Sequence, residues 1–264
     1  MMQPVDIRNG PDAKPGNSAA QSDQETSVDS ADSSGLSFDP RAIAVRPAAT
    51  VIVVRDFDTT SLGGLEVLLC QRRSSSPFVA NMQVFPGGGI DPEDSPRHIE
   101  STFPYPGGPS LEAAQNAAVR EAREETSLEL GTPAALPLIG RWITPALAPR
   151  RYDTLFFLSV LPQGQEPVPD ETEVVACSWW SPWDAVDAWE AGELEFVTPT
   201  LRFLMSLQDY RSSADALAAA RQSSSPGNRV RVDDETGWPW LPADEEFWSD
   251  GGLRRTFGWV GLGD

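Results

Sequence analysis

Arg120-Glu121-Ala122-Arg123-Glu124-Glu125, with Phe85-Pro86-Gly87-Gly88-Gly89 upstream of it, is the stretch on which the fold of this chain turns. Residues three and four apart on a helix are neighbours, so Glu121, Glu124 and Glu125 share one helical edge. Like charges held that closely raise one another's proton affinity unless a cation lies between them. A hard divalent ion with oxygen ligands, Mg²⁺ or Mn²⁺, meets that need, and such ions commonly bind through a few carboxylates plus substrate phosphates. A charge run on a helix is more often only a solvated face. Context argues otherwise here. Ala113, Ala114, Ala117, Ala118 and Val119 give the same helix an apolar side, and the glycine turn follows a strand-like Met82-Gln83-Val84-Phe85. The pattern predicts chemistry on a phosphate ester or anhydride.

These residues resemble the signature of the Nudix hydrolases: Gly, five residues, Glu, seven residues, Arg-Glu, an aliphatic, any residue, Glu-Glu, any residue, Gly, an aliphatic. Glu112 stands seven residues before Arg120, and Arg120, Glu121, Glu124, Glu125 and Leu128 fall in place, with Gly88 opening the motif beside Gly87. Three positions depart from it. Ala122 replaces the aliphatic, Ser127 replaces the closing glycine, and 23 residues (Gly89 to Leu111) separate Gly88 from Glu112. Asp94, five residues beyond Gly88, can share the role assigned to Glu112. If position 127 needs a positive φ, serine there costs about 1 kcal/mol relative to glycine. The insertion is rich in Pro and Gly and carries the lone His98, read as a surface residue.

The resemblance implies an α/β (α+β) fold, a mixed sheet sandwiched between helices, and metal-dependent hydrolysis of a nucleoside diphosphate derivative. By residue, it implies metal binding at Glu121, Glu124 and Glu125 with a backbone carbonyl near Gly87, orientation of a carboxylate by Arg120, and support of the site by Gly88 and Glu112. The general base is Glu124 of the box or Glu173, in the later Asp170-Glu171-Thr172-Glu173. Arg72, Arg73, Arg150 and Arg151 are the candidates for contacts to substrate phosphates, because a guanidinium offers a forked pair of donors. Each could equally pair with the surplus acids of the chain. Phe78, Trp142 and Tyr152 are either base-stacking or core aromatics.

The flanks are similar to those of the peroxisomal coenzyme A diphosphatase-like branch of the family, from about Arg46 to Leu217. They include Leu65 to Arg73, Trp142-Ile143-Thr144-Pro145 and Pro149 to Phe157, although Asn81 stands where coenzyme A-type members carry glycine. Coenzyme A or acyl-coenzyme A is the substrate this branch implies. ADP-ribose or a nucleotide sugar is the alternative, and a Nudix-fold ligand sensor without turnover is a third reading.

Composition sets the remaining bounds. A chain of 264 residues, 40% hydrophobic with 9 Trp, can bury one good core with additions. A net charge of −19 argues against nonspecific affinity for nucleic acid, whose phosphates attract basic surfaces. Every basic residue except Lys14 is an arginine. Cys70 and Cys177 lie in apparent strands and read as buried thiols of a reducing compartment. No C-x-x-C pair is present, so the zinc module of some NADH-cleaving relatives is missing. With no apolar run of about 18 residues, no secretion-type start and no peroxisomal ending, the sequence reads as cytoplasmic, without membrane partners.

Along the chain, residues 1–40 carry almost no large apolar groups and are expected to stay disordered or loosely draped. Residues 41–222 form the catalytic domain, interrupted at about 89–111. Within it, strands are expected over Pro47 to Arg55, Leu65 to Gln71, Leu138 to Trp142, Asp153 to Leu161 and Thr172 to Trp180. Helices are expected over about 110–127, from Pro182, over Pro199 to Leu207 and over Ala214 to Arg221. The 223–264 extension is acidic, with Trp238, Trp240, Trp248 and Trp259, and either folds back over the core or joins two copies as a homodimer.

Overall fold

The computed structural model describes residues 44–57, 64–75, 81–95, 110–144 and 150–222. The readings made above for residues 1–40, for Phe78, for His98 and for the 223–264 extension fall outside the described residues.

Among the described residues, seven strands and four α-helices follow the order β1 (Val45–Phe57), β2 (Gly64–Arg72), β3 (Gln83–Val84), β4 (Gly87–Gly89), α1 (Leu111–Thr126), β5 (Leu138–Ile143), β6 (Arg151–Val160), β7 (Val174–Trp180), α2 (Pro182–Glu190), α3 (Thr198–Leu207) and α4 (Ser213–Gln222). Every helix and long strand expected from periodicity is present. β1 and β6 run parallel, in register from Val45↔Arg151 to Val54↔Val160, and the other pairings are antiparallel. The sheet is therefore mixed.

β1 is buried on both faces, which is why Val51, Ile52, Val53 and Val54 read as an unbroken apolar run rather than an alternation. Val51 and Val53 point to one face, where they pack with Ala114, Ala117, Ala118 and Ala122 of α1. Ile52 and Val54 point to the other, against α2, α3 and α4 through Val186, Leu201, Leu204 and Ala216. Helices cover both faces, giving the α/β/α sandwich. The side of α1 toward the sheet is built almost wholly of alanines, each fully buried. Without longer side chains between them, helix and sheet approach closely. Ser110 starts α1 by accepting a hydrogen bond from the Ala113 N–H at 3.0 Å, and Ser127 ends it in the left-handed region at φ 59°.

The sheet holds a fork that positions the glycine turn. β6 occupies one edge of β1 from Val45 to Val54, and β7 occupies one edge of β2 from Val67 to Arg72. On their facing edges, β1 and β2 pair only at Val54–Phe57 with Gly64–Val67. Beyond that they part. β3 takes the facing edge of β2 at Cys70 and Gln71, and β4 takes that of β1 at Ala48 to Thr50. Gln83 to Gly89 thus fills the cleft between two diverging strands.

Candidate active site

The turn inside the fork is fastened at both ends. Pro86 accepts a hydrogen bond from the Val51 N–H at 2.9 Å, and Ile90 donates to the Pro47 carbonyl at 3.2 Å. Two of its glycines are required by crowding. A Cβ on Gly87 would meet the backbone of Ala49 and Thr50, and one on Gly88 would collide with the carboxylate of Glu121. The turn therefore lies directly against the acidic edge of α1. The Gly87 N–H donates to Glu125 Oε2 at 2.9 Å.

Arg120 is the hub of the acidic edge. Its Nε and Nη2 donate to the two oxygens of Asp94 at 3.1 and 2.9 Å, a forked and charge-assisted pair. Nη2 also donates to the Gly89 carbonyl at 2.9 Å, and Nη1 to Glu121 Oε1 at 2.8 Å and Glu124 Oε2 at 3.0 Å. The hydrogen bond to Asp94 is the main reason the guanidinium is held still more firmly protonated than usual. Asp94 is only 6% exposed, sits in a short 3-10 turn (Pro92–Asp94), and accepts from the Asp91 N–H at 2.8 Å. Asn116 of α1 donates to its carbonyl at 2.9 Å.

Glu112, expected to brace the turn and helix, is an exposed residue of the first turn of α1. Asp94 makes the bracing contacts instead, because the 3-10 turn carries it beneath Arg120 while Glu112 sits two helical turns away. Gly89, Asp91 and Asp94, which lie within the 89–111 stretch read above as an insertion, all contact Arg120.

Glu125 is held by the glycine turn, through the Gly87 N–H, where Glu121 and Glu124 are held by Arg120. It is 3% exposed, and Oε1 has no hydrogen-bond partner, with Arg72 Nη1 at 3.9 Å. Burial pushes its carboxyl up to about 8 despite the Gly87 N–H, and Glu121 and Glu173 add to the effect. Glu121 is raised as well, by burial first, with Arg120 opposing and Glu124 and Glu173 reinforcing it. Both groups favour a bound proton or a cation.

Glu173 reaches the cluster through a loop organised by Asp170. Its carboxylate accepts from the N–H groups of Thr172, Glu173 and Val174 at 3.1, 3.0 and 2.8 Å, and from the Thr172 hydroxyl. Burial works against it, but these bonds hold Asp170 below the usual carboxylate range. The Asp170 N–H donates to the Glu125 carbonyl at 3.1 Å, and the Arg73 N–H to the Glu173 carbonyl at 3.0 Å. The loop is thus bolted to the end of α1 and the end of β2. Arg72 lies between two predicted acids, its Nη2 3.7 Å from the largely exposed Glu173.

Of the arginines proposed for phosphate, Arg72 is the one joined to the acids among the described residues. The Arg73 side chain donates to the Glu171 carbonyl, Arg151 to the Thr144 carbonyl at 3.1 Å, and Arg150 is exposed. Trp142 is a core residue, edge-on to Phe203 at 6.4 Å. Sequence reasoning missed the organising role of Asp170, for which a short acidic run offered no distinguishing signal. The primacy of Asp94 had one signal, its five-residue spacing from Gly88.

Among the described residues no three Asp, Glu, His or Cys side chains stand as a ready-made metal cage, since Arg120 holds Glu121 and Glu124. The residues nevertheless fit a hard divalent cation. Their donors are carboxylate oxygens, and one buried oxygen, Glu125 Oε1, accepts no hydrogen bond and is open to coordination by such an ion.

A mixed sheet between helices, forked around a glycine turn that abuts an acidic helix, defines an α+β hydrolase scaffold. A NUDIX domain model matches residues 45–200, more than half of the 264-residue chain, and the chain belongs to the Nudix family. Among solved structures it is similar to a NUDIX hydrolase from Alicyclobacillus acidocaldarius, 26% identical with a TM-score of 0.56 over 67% of this chain and 97% of that one. It is also similar to the NUDIX domain of Shewanella oneidensis NrtR, crystallised with ADP ribose, at 18% identity and a TM-score of 0.43 over 64% of this chain and 90% of that one. By class the protein is a Nudix pyrophosphohydrolase.

Proposed function

We propose that the protein hydrolyses the diphosphate linkage of a nucleoside diphosphate derivative with Mg²⁺ or Mn²⁺, and that its substrate is coenzyme A or an acyl-coenzyme A. The observation that carries the metal reading is the buried Glu125, one oxygen on the Gly87 N–H and the other without a hydrogen bond, 3.9 Å from the Arg72 guanidinium. Glu121, Glu124, Glu125 and the Gly87 carbonyl are the residues that would hold the ion. When bound, it neutralises charge on the diphosphate oxygens and makes a nearby water more acidic.

The side chains divide the remaining work. Glu124 is about half exposed and tethered by Arg120 at 3.0 Å, so it can take a proton from the attacking water without drifting. Glu173 is the other candidate base, set on a loop whose backbone Asp170 fixes. Arg120 keeps Glu121 and Glu124 oriented while Asp94 keeps Arg120 in place. Arg72 can turn from the acids to a phosphate oxygen, and its forked donors suit that contact.

Support for coenzyme A comes from the interrupted box and the flanks from Arg46 to Leu217, together with adjacent Arg72 and Arg73 at the end of β2, suited to a nucleotide with an additional phosphate. A Mg²⁺ assay against coenzyme A, acyl-coenzyme A, ADP-ribose and nucleotide sugars, with products identified by mass, tests the assignment. Rapid cleavage of ADP-ribose with none of coenzyme A would overturn the substrate. Glu124→Gln should lower kcat by about 10²–10⁴-fold with the melting temperature nearly unchanged, as expected for loss of a general base. Full activity in that variant removes Glu124 from the mechanism.

A further inference from the structure

The two cysteines, 107 positions apart in the chain, meet across the sheet. Cys70 of β2 and Cys177 of β7 are direct partners in the antiparallel register, and their sulfurs are 3.8 Å apart. Directly opposed residues of antiparallel strands have Cα atoms about 4.5–5.5 Å apart, inside the range of about 4.4–6.8 Å that a disulfide spans. A bond there needs only rotation of the side chains. The two environments differ. Cys70 is fully buried on the α1 side of the sheet, whereas Cys177 is partly exposed, on a strand that pairs only with β2 among the described residues. Either sulfur can donate in the S–H···S contact; with Cys70 donating, the Cys177 thiol is drawn below its ordinary value.

We propose that Cys70 and Cys177 form a reversible, peroxide-responsive disulfide that restrains Arg72. The Cys177 thiolate attacks one oxygen of a peroxide; the O–O bond breaks, a sulfenic acid forms and hydroxide leaves. The Cys70 sulfur then attacks the sulfenic sulfur. The S–S bond forms, the S–O bond breaks, and the departing hydroxide leaves as water with the Cys70 proton. Two thiols and one hydrogen peroxide become one disulfide and two waters, each sulfur losing one electron and each peroxide oxygen gaining one. The coupling to Arg72 is geometric. The pairing of β2 with β7 shifts register between Gln71 and Arg72, directly beside the cysteine pair, and Arg72 lies within 4 Å of Glu125 and Glu173. A bond fixing Cys70 to Cys177 removes the freedom of that bulge to move Arg72 from acid to substrate. The restraint on turnover rests on the hydrolase reading; the disulfide does not.

The test treats the reduced full-length protein with stoichiometric hydrogen peroxide and reads it two ways. Mass spectrometry should find tryptic peptides 56–72 and 152–202 joined, two mass units lighter than their sum, and separated again by dithiothreitol. In Cys70→Ala, dimedone should trap a sulfenic acid on Cys177. Two thiols still free, or oxidised separately to sulfinic acids, overturns the disulfide in the wild-type protein whatever the variant does. On whichever panel substrate is cleaved, oxidation should lower kcat several-fold in wild type, recover with dithiothreitol, and leave Cys177→Ser unchanged. A joined peptide pair with undiminished turnover overturns the restraint on Arg72 alone. If no substrate is cleaved even when reduced, the hydrolase reading fails, and oxidation-dependent change in the fluorescence of a bound nucleotide analogue decides the restraint instead.

Discussion

The Arg120 guanidinium donates hydrogen bonds to three carboxylates and a carbonyl, and the buried Asp94 takes two of them. Asp94→Ala should destabilise the protein by about 1–3 kcal/mol in urea denaturation, as a buried charged partner is lost, and lower activity by loosening Glu121 and Glu124. Glu112→Ala, on the exposed first turn of α1, should stay within about 0.5 kcal/mol of wild type. Equal losses in the two would return the bracing role to Glu112. Ser127 makes the complementary case. It holds φ at 59° where the family signature has glycine, so Ser127→Gly should raise stability by about 0.5–1 kcal/mol in the same assay. Asn81, the other departure from glycine, likewise sits at φ 63°. Sequence spacing had pointed to these positions, but the left-handed backbone became visible only in the structure.

At the scale of elements, the fork between β1 and β2 explains why the adjacent glycines should respond differently to substitution. Beside the Thr50 hydroxyl, the neighbours of a Cβ at Gly87 are the Ala49 carbonyl oxygen and Thr50 Cα, backbone atoms of β1 that cannot give way, so Gly87→Ala should cost about 1–3 kcal/mol in thermal or urea unfolding. Those of a Cβ at Gly88 are the tip of the Glu121 side chain, which can swing aside. Gly88→Ala should therefore fold with a nearly unchanged melting temperature while activity falls sharply through displacement of Glu121. Matching effects on stability in both variants would show that the turn is merely a packed loop. The elements were legible in the sequence because strand and helix periods are local, and the 110–127 helix reappears as α1. The fork was not. It depends on where β1 and β2 cease to pair, which is settled by β3 and β4, the next strands of the chain, turning back between them.

The whole molecule feels the buried carboxyl of Glu125. Its proton affinity rises from the ordinary 4.5 to about 8 on folding, so the native state binds that proton more tightly than the unfolded state. This contribution is fully present below about pH 4.5 and is lost as pH rises through about 8. In metal-free protein with EDTA, the melting temperature of wild type should therefore fall relative to Glu125→Gln between pH 5 and 8, as measured by calorimetry. Added Mg²⁺ should flatten the difference, since a cation can replace the proton; an unchanged slope would speak against Glu125 as a ligand. By itself, the sequence determined the helices and strands, the close packing of an alanine face, and the placement of Glu121, Glu124 and Glu125 on one edge of α1, because each follows from neighbours a few residues apart. Only the tertiary structure decided that Asp94 anchors Arg120 across 26 positions, that Asp170 folds the Glu173 loop onto α1 and β2, and that Arg72 stands between Glu125 and Glu173. Those meetings follow from strand register and from the entry of the glycine turn, which bring together groups that no local spacing relates.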